Sequence, residues 1–292
     1  MLSKSIFLNI IFLFFFSCNQ KSNSIIKTDN GYLLNFHEIS GDTNKVSEGC
    51  IVNLNIIARD DSQEIVFSSK ENGLGGVSSF YYDSTILKSP MNQILLNTVK
   101  GDSLSFSMKF HVFYNSFFGE KLLNRIIIDS SLLNVDLKVL GYFNYQEQLE
   151  YQKKLEISAQ NKEDSILDFS KKLWDNKFLN IYKSRGLYAI KVSSNHILNF
   201  YGDSIKNEII IGYTMNEISG RLIYKTSYLN PEIYDKSKEG QLLEGFEILI
   251  GNFKKGDSIV ALIPSNLLFG RKGSFINKIP PFTPMKVNLK IN

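Results

Sequence analysis

The feature that most limits what this chain can fold into is a pattern that occurs twice. Lys100-Gly101-Asp102-Ser103-Leu104 returns as Lys255-Gly256-Asp257-Ser258-Ile259, and Val135-Asp136-Leu137-Lys138-Val139 returns as Val287-Asn288-Leu289-Lys290-Ile291. Between them, Phe118-Gly119 returns as Phe269-Gly270. Self-similarity in a fixed order is the mark of a duplicated unit. Each Gly-Asp opens a run of alternating apolar and polar residues, the period-two pattern of a strand with one buried face. Gly, Asp, Asn and Ser punctuate such short runs over residues 30–143 and again over 181–292, which predicts two antiparallel sheets rather than βαβ units.

Between the copies, Tyr145 to about Phe178 contains no Gly or Pro and is rich in Glu, Lys, Gln and Asp. Ile166, Phe169, Leu173 and Trp174 fall there at helical spacing, so residues 144–180 read as a charged helical linker that docks one narrow apolar face. Sustained heptads are absent, and a coiled-coil seam is not expected.

At the other end of the chain, Lys4 precedes Ile6-Phe7-Leu8 and an unbroken apolar stretch from Ile10 to Phe16, which ends at Ser17-Cys18. This is the layout of a signal peptide over residues 1–17, too short to span a bilayer. A small residue before a cysteine, then the polar tract Asn19 to Ser24, resembles the lipobox of bacterial lipoproteins. That resemblance implies a lipidated Cys18, a flexible tether over 18–29 and an envelope protein facing the periplasm. Only Cys50 then remains, so no internal disulfide can form. It opens the alternating run to Ile56 and reads as a small buried hydrophobe.

Several function classes are excluded. Lys and Arg number 33 against 29 Asp and Glu, a net +4 without a basic stripe, so nucleic acid is not an expected partner. His37, His111 and His196 are each isolated on strand-like patterns, which leaves no basis for a metal site or a Ser-His-Asp arrangement, and no cofactor is expected. Gly73-Leu74-Gly75-Gly76 lacks the third glycine of a phosphate fingerprint, where Ser78 stands, and reads as a flexible loop. A mean hydropathy of -0.10 leaves no polytopic membrane bundle.

The last fifty residues carry the most information. Gly240 to Phe253 reads as a short helix containing Leu242-Leu243-Glu244-Gly245-Phe246-Glu247, followed by Lys255-Gly256-Asp257, a strand to Ile263, the turn Pro264-Ser265-Asn266-Leu267-Leu268-Phe269-Gly270, the loop Ile279-Pro280-Pro281 and a final strand. This order resembles the FKBP family of peptidyl-prolyl isomerases across residues 187–292. The whole layout looks like the lipid-anchored two-domain FKBP-type proteins of gliding bacteria, with a clear second domain and a degenerate first. The implied fold is α+β: two tandem FKBP-like domains, 30–143 and 181–292, each an antiparallel half-barrel sheet wrapped on a short helix.

By that resemblance a prolyl pocket lies between sheet and helix, and its substrates are proline-containing polypeptides. Tyr213 would be one wall, Leu242 and Leu243 the rim, Phe246 the floor, Phe269 the hood, Ile279 the far lip and Val287 a further lining position; the Leu243 amide would bond the substrate. The family's pocket aspartate falls near Tyr224 or Lys225, neither acidic, and Phe269 lacks the hydroxyl of the usual tyrosine. In the first domain Leu54 stands where Tyr213 stands, and neither a Gly-aromatic-Glu helix nor a Pro-Pro loop is visible. Two readings follow: an isomerase of X-Pro bonds in exported or envelope proteins, or a non-catalytic chaperone or assembly scaffold that keeps the fold.

Overall fold

The structure, a computed structural model, describes residues 24–83, 89–118, 131–194, 208–227, 231–235, 237–238 and 240–292. The predicted signal peptide, Cys18, Gly119 and His196 lie outside the described residues.

The first unit contains β1 (Ser24–Lys27), β2 (Leu33–Glu38), β3 (Ile51–Arg59), β4 (Ile65–Ser68), α1 (Ser69–Asn72), β5 (Ser78–Tyr81), α2 (Pro90–Leu96), β6 (Ser103–Lys109), α3 (Phe110–Phe118) and β7 (Leu132–Phe143). The long helix α4 (Tyr145–Lys177) follows. The second unit contains β8 (Tyr182–Ser184), β9 (Leu187–Ser194), β10 (Glu208–Glu217), β11 (Leu222–Lys225), β12 (Glu232–Asp235), α5 (Glu244–Asn252), β13 (Asp257–Ile263) and β14 (Met285–Ile291).

Each unit is one seven-stranded antiparallel sheet, and the two share one topology. The first runs β1-β2-β6-β7-β3-β4 with β5 also on β3; the second, in the same sense, runs β8-β9-β13-β14-β10-β11 with β12 also on β10. The Lys-Gly-Asp-Ser repeat and the Val135–Val139 and Val287–Ile291 repeat occupy equivalent places. Gly101 (φ 95°) and Gly256 (φ 91°) adopt the left-handed backbone that a side chain disfavours. Their amides donate to Val139 and Ile291 at 2.8 and 2.7 Å. The buried Asp102 and Asp257 carboxylates accept from the Val99 and Lys254 amides, closing the same turn twice.

The alternation places one face of each sheet in a core. Leu104, Phe106, Val135 and Leu137 pack with Met91, Ile94 and Leu95 of α2 in the first unit. Ile259, Ala261, Val287 and Leu289 pack with Phe246, Leu249 and Ile250 of α5 in the second. Both cores follow from burying one face of a sheet under a short helix.

Three expectations need correction. Residues 24–27 of the expected tether form β1, paired with β2 from Ser24↔Phe36 to Lys27↔Leu33, because their backbone groups find partners on that edge. The first unit holds the short helix expected beneath its sheet, α2, which starts on Pro90, presents a Met91-Ile94-Leu95 face and lacks the Gly-aromatic-Glu motif of the second unit. The linker helix docks through a face other than the apolar stripe: Phe169 and Leu173 are 66% and 53% exposed, whereas Gln148, Glu163, Leu167 and Ser170 are buried. Hydrogen bonds make that polar face buriable, since Gln148 bonds Asn53 and Ser79 while Glu163 bonds Ser265. Finally, the glycine loop at 73–76 holds a short 3-10 turn against which Leu155 of α4 packs at Gly75.

Cys50 is buried as expected, and desolvation pushes its thiol pKa up. His37 shares a 2.9 Å hydrogen bond with Ser105 on the sheet's outer face. No described helix is long and apolar enough to cross a membrane.

Candidate functional site

In the second unit α5 meets β10 through the contact of Phe246 with Tyr213. Leu243 is the N-cap of α5, so the helix begins at Glu244 rather than across all of 240–253. Gly245 allows this helix to lie close on β13: a Cβ there would stand 2.6 Å from the Ile263 side chain. That approach delivers the next residue, Phe246, into the core at 2% exposure. Its ring meets Tyr213 of β10 edge-on, centroids 4.6 Å apart.

The turn after β13 packs Phe269 against the same apolar cluster, and the 270–281 loop folds back to bury Ile279. Gly273 (φ 61°) is required in that loop, because a Cβ would come within 2.3 Å of the Ile279 carbonyl oxygen. All seven residues singled out in the sequence therefore join one apolar cluster. Phe246, Ile279 and Val287 form its buried floor, while Tyr213, Leu242, Leu243 and Phe269 are half-buried around it.

Two polar features complete the geometry. The Leu243 carbonyl accepts from the Phe246 and Glu247 amides at 2.8 and 3.2 Å, but the Leu243 amide donates to no group among the described residues. It is an unpaired donor at the helix entrance. The second feature was not legible in the sequence. Glu232 of β12 lies opposite Ile211 on β10, on the face that also carries Tyr213 two residues on. Its carboxylate accepts a 3.1 Å hydrogen bond from the Tyr213 hydroxyl. Burial first, then the adjacent Glu232 charge, drive the Tyr213 phenol pKa up. Tyr224, paired with Met215 on the same face, packs its ring tilted against Tyr213 with centroids 5.2 Å apart, and its own pKa is raised chiefly by its hydrogen bond to Glu232. An acid therefore does stand beside Tyr213, from β12 rather than from the Tyr224–Lys225 segment.

The first unit's register corrects one equivalence. Gly101 bonds Val139, which pairs with Leu54, and Gly256 bonds Ile291, which pairs with Ile211. The counterpart of Tyr213 is therefore Ile56, two residues beyond Leu54. By the same register Phe67 answers to Tyr224 and Ser78 to Glu232. No phenol–carboxylate pair stands there.

In each unit a seven-stranded antiparallel sheet packs one face on a short helix. The fold is FKBP-like. Solved structures of similar fold include a peptidyl-prolyl cis-trans isomerase from Pseudomonas syringae pv. tomato, 15% identical, covering 46% of this chain and 91% of its own, with a TM-score of 0.36. FkpA from Escherichia coli is 20% identical over 52% of this chain and 73% of its own, with a TM-score of 0.34. The three FKBP domains of wheat FKBP73 are 14% identical over 92% and 97%, with a TM-score of 0.31. These are likenesses of fold alone. No protein-family profile and no curated protein matches the chain.

A separate cleft of about 720 Å3 lies on the polar outer face of the first sheet, lined by Asn35, Arg59, Ser105, Asn134 and Asp136 among others. None of the seven residues lines it. No described cluster of His, Cys, Asp and Glu is suited to a metal ion.

Proposed function

We propose that the second unit is a peptidyl-prolyl cis-trans isomerase acting on X-Pro bonds of exported or envelope proteins. The observation that carries this reading is the unpaired Leu243 amide at the edge of an apolar surface floored by Phe246. The barrier to rotation about a peptide bond, ~18–20 kcal/mol, arises from amide resonance. Removing the prolyl carbonyl and nitrogen from water against Phe246, Ile279 and the Tyr213 wall weakens that resonance and favours the twisted amide. The Leu243 N–H holds the substrate backbone while the bond turns. No nucleophile or proton transfer is needed, and a differential stabilisation of about 5 kcal/mol corresponds to roughly five-thousandfold in rate.

Proline-limited refolding of a reporter protein tests the reading, using the chain from Cys18 onward with Phe246→Ala as control. Wild type accelerates the slow phase and the variant does not. A wild-type rate equal to buffer, with peptide binding retained, supports the non-catalytic chaperone instead.

The same proposal places the protein on a membrane through lipid on Cys18, facing the periplasm, with several acyl chains because one binds only marginally. Metabolic labelling with a fatty acid tests it: wild type takes up label and Cys18→Ser does not. An unlabelled wild type removes the anchor from the account.

A further inference from the structure

The loop that carries Ile279 into the site also reaches the other unit. Ser274 and Ile279 form a closed pair, each amide donating to the other's carbonyl at 2.8 Å, and the Lys278 amide donates to the Phe275 carbonyl at 3.1 Å. On one side of this short hairpin Ile279 enters the second core. On the other side Phe275 packs against the first core, its ring 6.2 Å from Phe67 and 6.3 Å from Tyr114.

Polar contacts fasten the hairpin in that position. Asn72 of α1 donates to the Phe275 carbonyl at 3.1 Å, and the Lys278 ammonium donates to the Ile65 carbonyl of β4 at 2.8 Å. The Arg221 guanidinium donates to the Lys278 carbonyl and to Glu217 at 2.8 and 2.6 Å, and stands 3.8 Å from Glu71 of α1. Arg221 thereby joins the hairpin, the β10–β11 turn and the first unit. Helix α4 holds the preceding turn: Glu156 pairs with Arg271, and the buried Glu163 carboxylate accepts from the Ser265 amide and hydroxyl at 2.6 and 2.7 Å.

The receiving surface is the first unit's counterpart of the site. Phe67, which answers to Tyr224 in register, is covered by Phe113 and Phe117 of α3 at 5.5 and 6.4 Å. Phe275 adds a further ring to this cluster. Aromatic side chains of the chain itself thus occupy the place where the second unit presents its apolar surface.

We propose that the first unit and α4 act as a clamp that positions the 265–281 segment of the second-unit site, with Phe275 as the positioning residue and the Phe67–Tyr114 cluster as its socket. Phe275 touches no substrate in this account; it acts through Ile279 and Phe269. Fixing the lip before a polypeptide arrives removes an ordering cost from binding, so the effect falls on KM rather than kcat. This kinetic consequence rests on the isomerase reading, whereas the order of the hairpin does not.

Hydrogen exchange at the Ser274 and Ile279 amides, measured by NMR on the chain from Cys18 onward, tests the clamp together with KM and kcat for a proline peptide. Phe275→Ala is expected to speed exchange at both amides at least tenfold while β14 stays protected, and to raise KM at least threefold with kcat within twofold. Asn72→Ala, which leaves the aromatic socket intact, should move both readouts in the same direction by less, and Phe275→Leu should restore most of the protection. Unchanged exchange in Phe275→Ala overturns the proposal. Should Phe275→Ala lose protection throughout, Asn72→Ala decides, and unchanged exchange there overturns it equally. A wild type without turnover refutes the isomerase reading, and the exchange data alone then decide the clamp.

Discussion

The two units share a sheet order and a Gly-Asp turn but differ at three positions on one face. Ile56, Phe67 and Ser78 in the first stand where Tyr213, Tyr224 and Glu232 stand in the second. The segment after the sixth strand also differs: it is the helix α3 in one and the 3-10 turn leading to Phe269 in the other. The sheet tolerates this divergence because the Asp102 and Asp257 turns lie away from the differing positions, and the alternation requires only that the inward positions be largely apolar, which Ile56 and Tyr213 both satisfy. Local consistency between pattern and turn keeps the fold while the segments above it change use.

The comparison is broken most severely by emptying the cores. Phe246→Ala should destabilise the second unit by about 3–5 kcal/mol and Met91→Ala the first by about 2–5 kcal/mol, read by denaturant unfolding. Only Phe246→Ala should also abolish peptide binding at temperatures where the chain stays folded; equal loss in both would mean the units are not distinct in function. A smaller effect is expected at the helix contact. Ser265→Ala leaves one buried oxygen of Glu163 without its donor, which should cost about 1–3 kcal/mol, and no loss would show the linker contact to be idle.

Alkaline titration sharpens the comparison further, because each unit has one strongly perturbed phenol. Tyr142 in the first is pushed up to about 12, chiefly by burial, and Tyr213 in the second is raised by burial and Glu232. Both keep their protons when folded at a pH where the unfolded chain, with phenols near 10, has lost them. Stability is therefore full below about pH 10 and declines as pH rises through 12. Tyr142→Phe and Tyr213→Phe should each shallow that decline; an unchanged slope in both would refute the assignment. The smallest change is Phe269→Tyr. Phe269 is half-buried at the turn, so stability should stay within about 0.5 kcal/mol of wild type. Its turnover should rise as the new hydroxyl reaches the substrate carbonyl.

The sheets were legible because Val135–Val139 and Val287–Ile291 carry their burial in a period of two, and because a Gly-Asp turn leaves a recognisable signature. The apolar floor was legible for the same reason: Phe246 and Ile279 are where a core needs them. Glu232 was not, since its meaning depends on β12 lying beside β10, a pairing that no local pattern in Pro231-Glu232-Ile233-Tyr234 announces. Nor was the docking face of α4, where the apolar Phe169 and Leu173 face solvent while Glu163 is buried through long-range partners. Phe275 belongs to the same class, because a ring in a loop shows its role only once its socket is assembled.

The central claim is that one unit holds a site for prolyl polypeptide and its duplicate does not. Chemical-shift mapping of a proline-containing peptide on the full chain from Cys18 onward tests it most directly. Shifts are expected at the Leu243 amide, Phe246 and Phe269, and none at Ile56 or Phe67. Shifts confined to the first unit, or no shifts at Leu243 under saturating peptide, would contradict it.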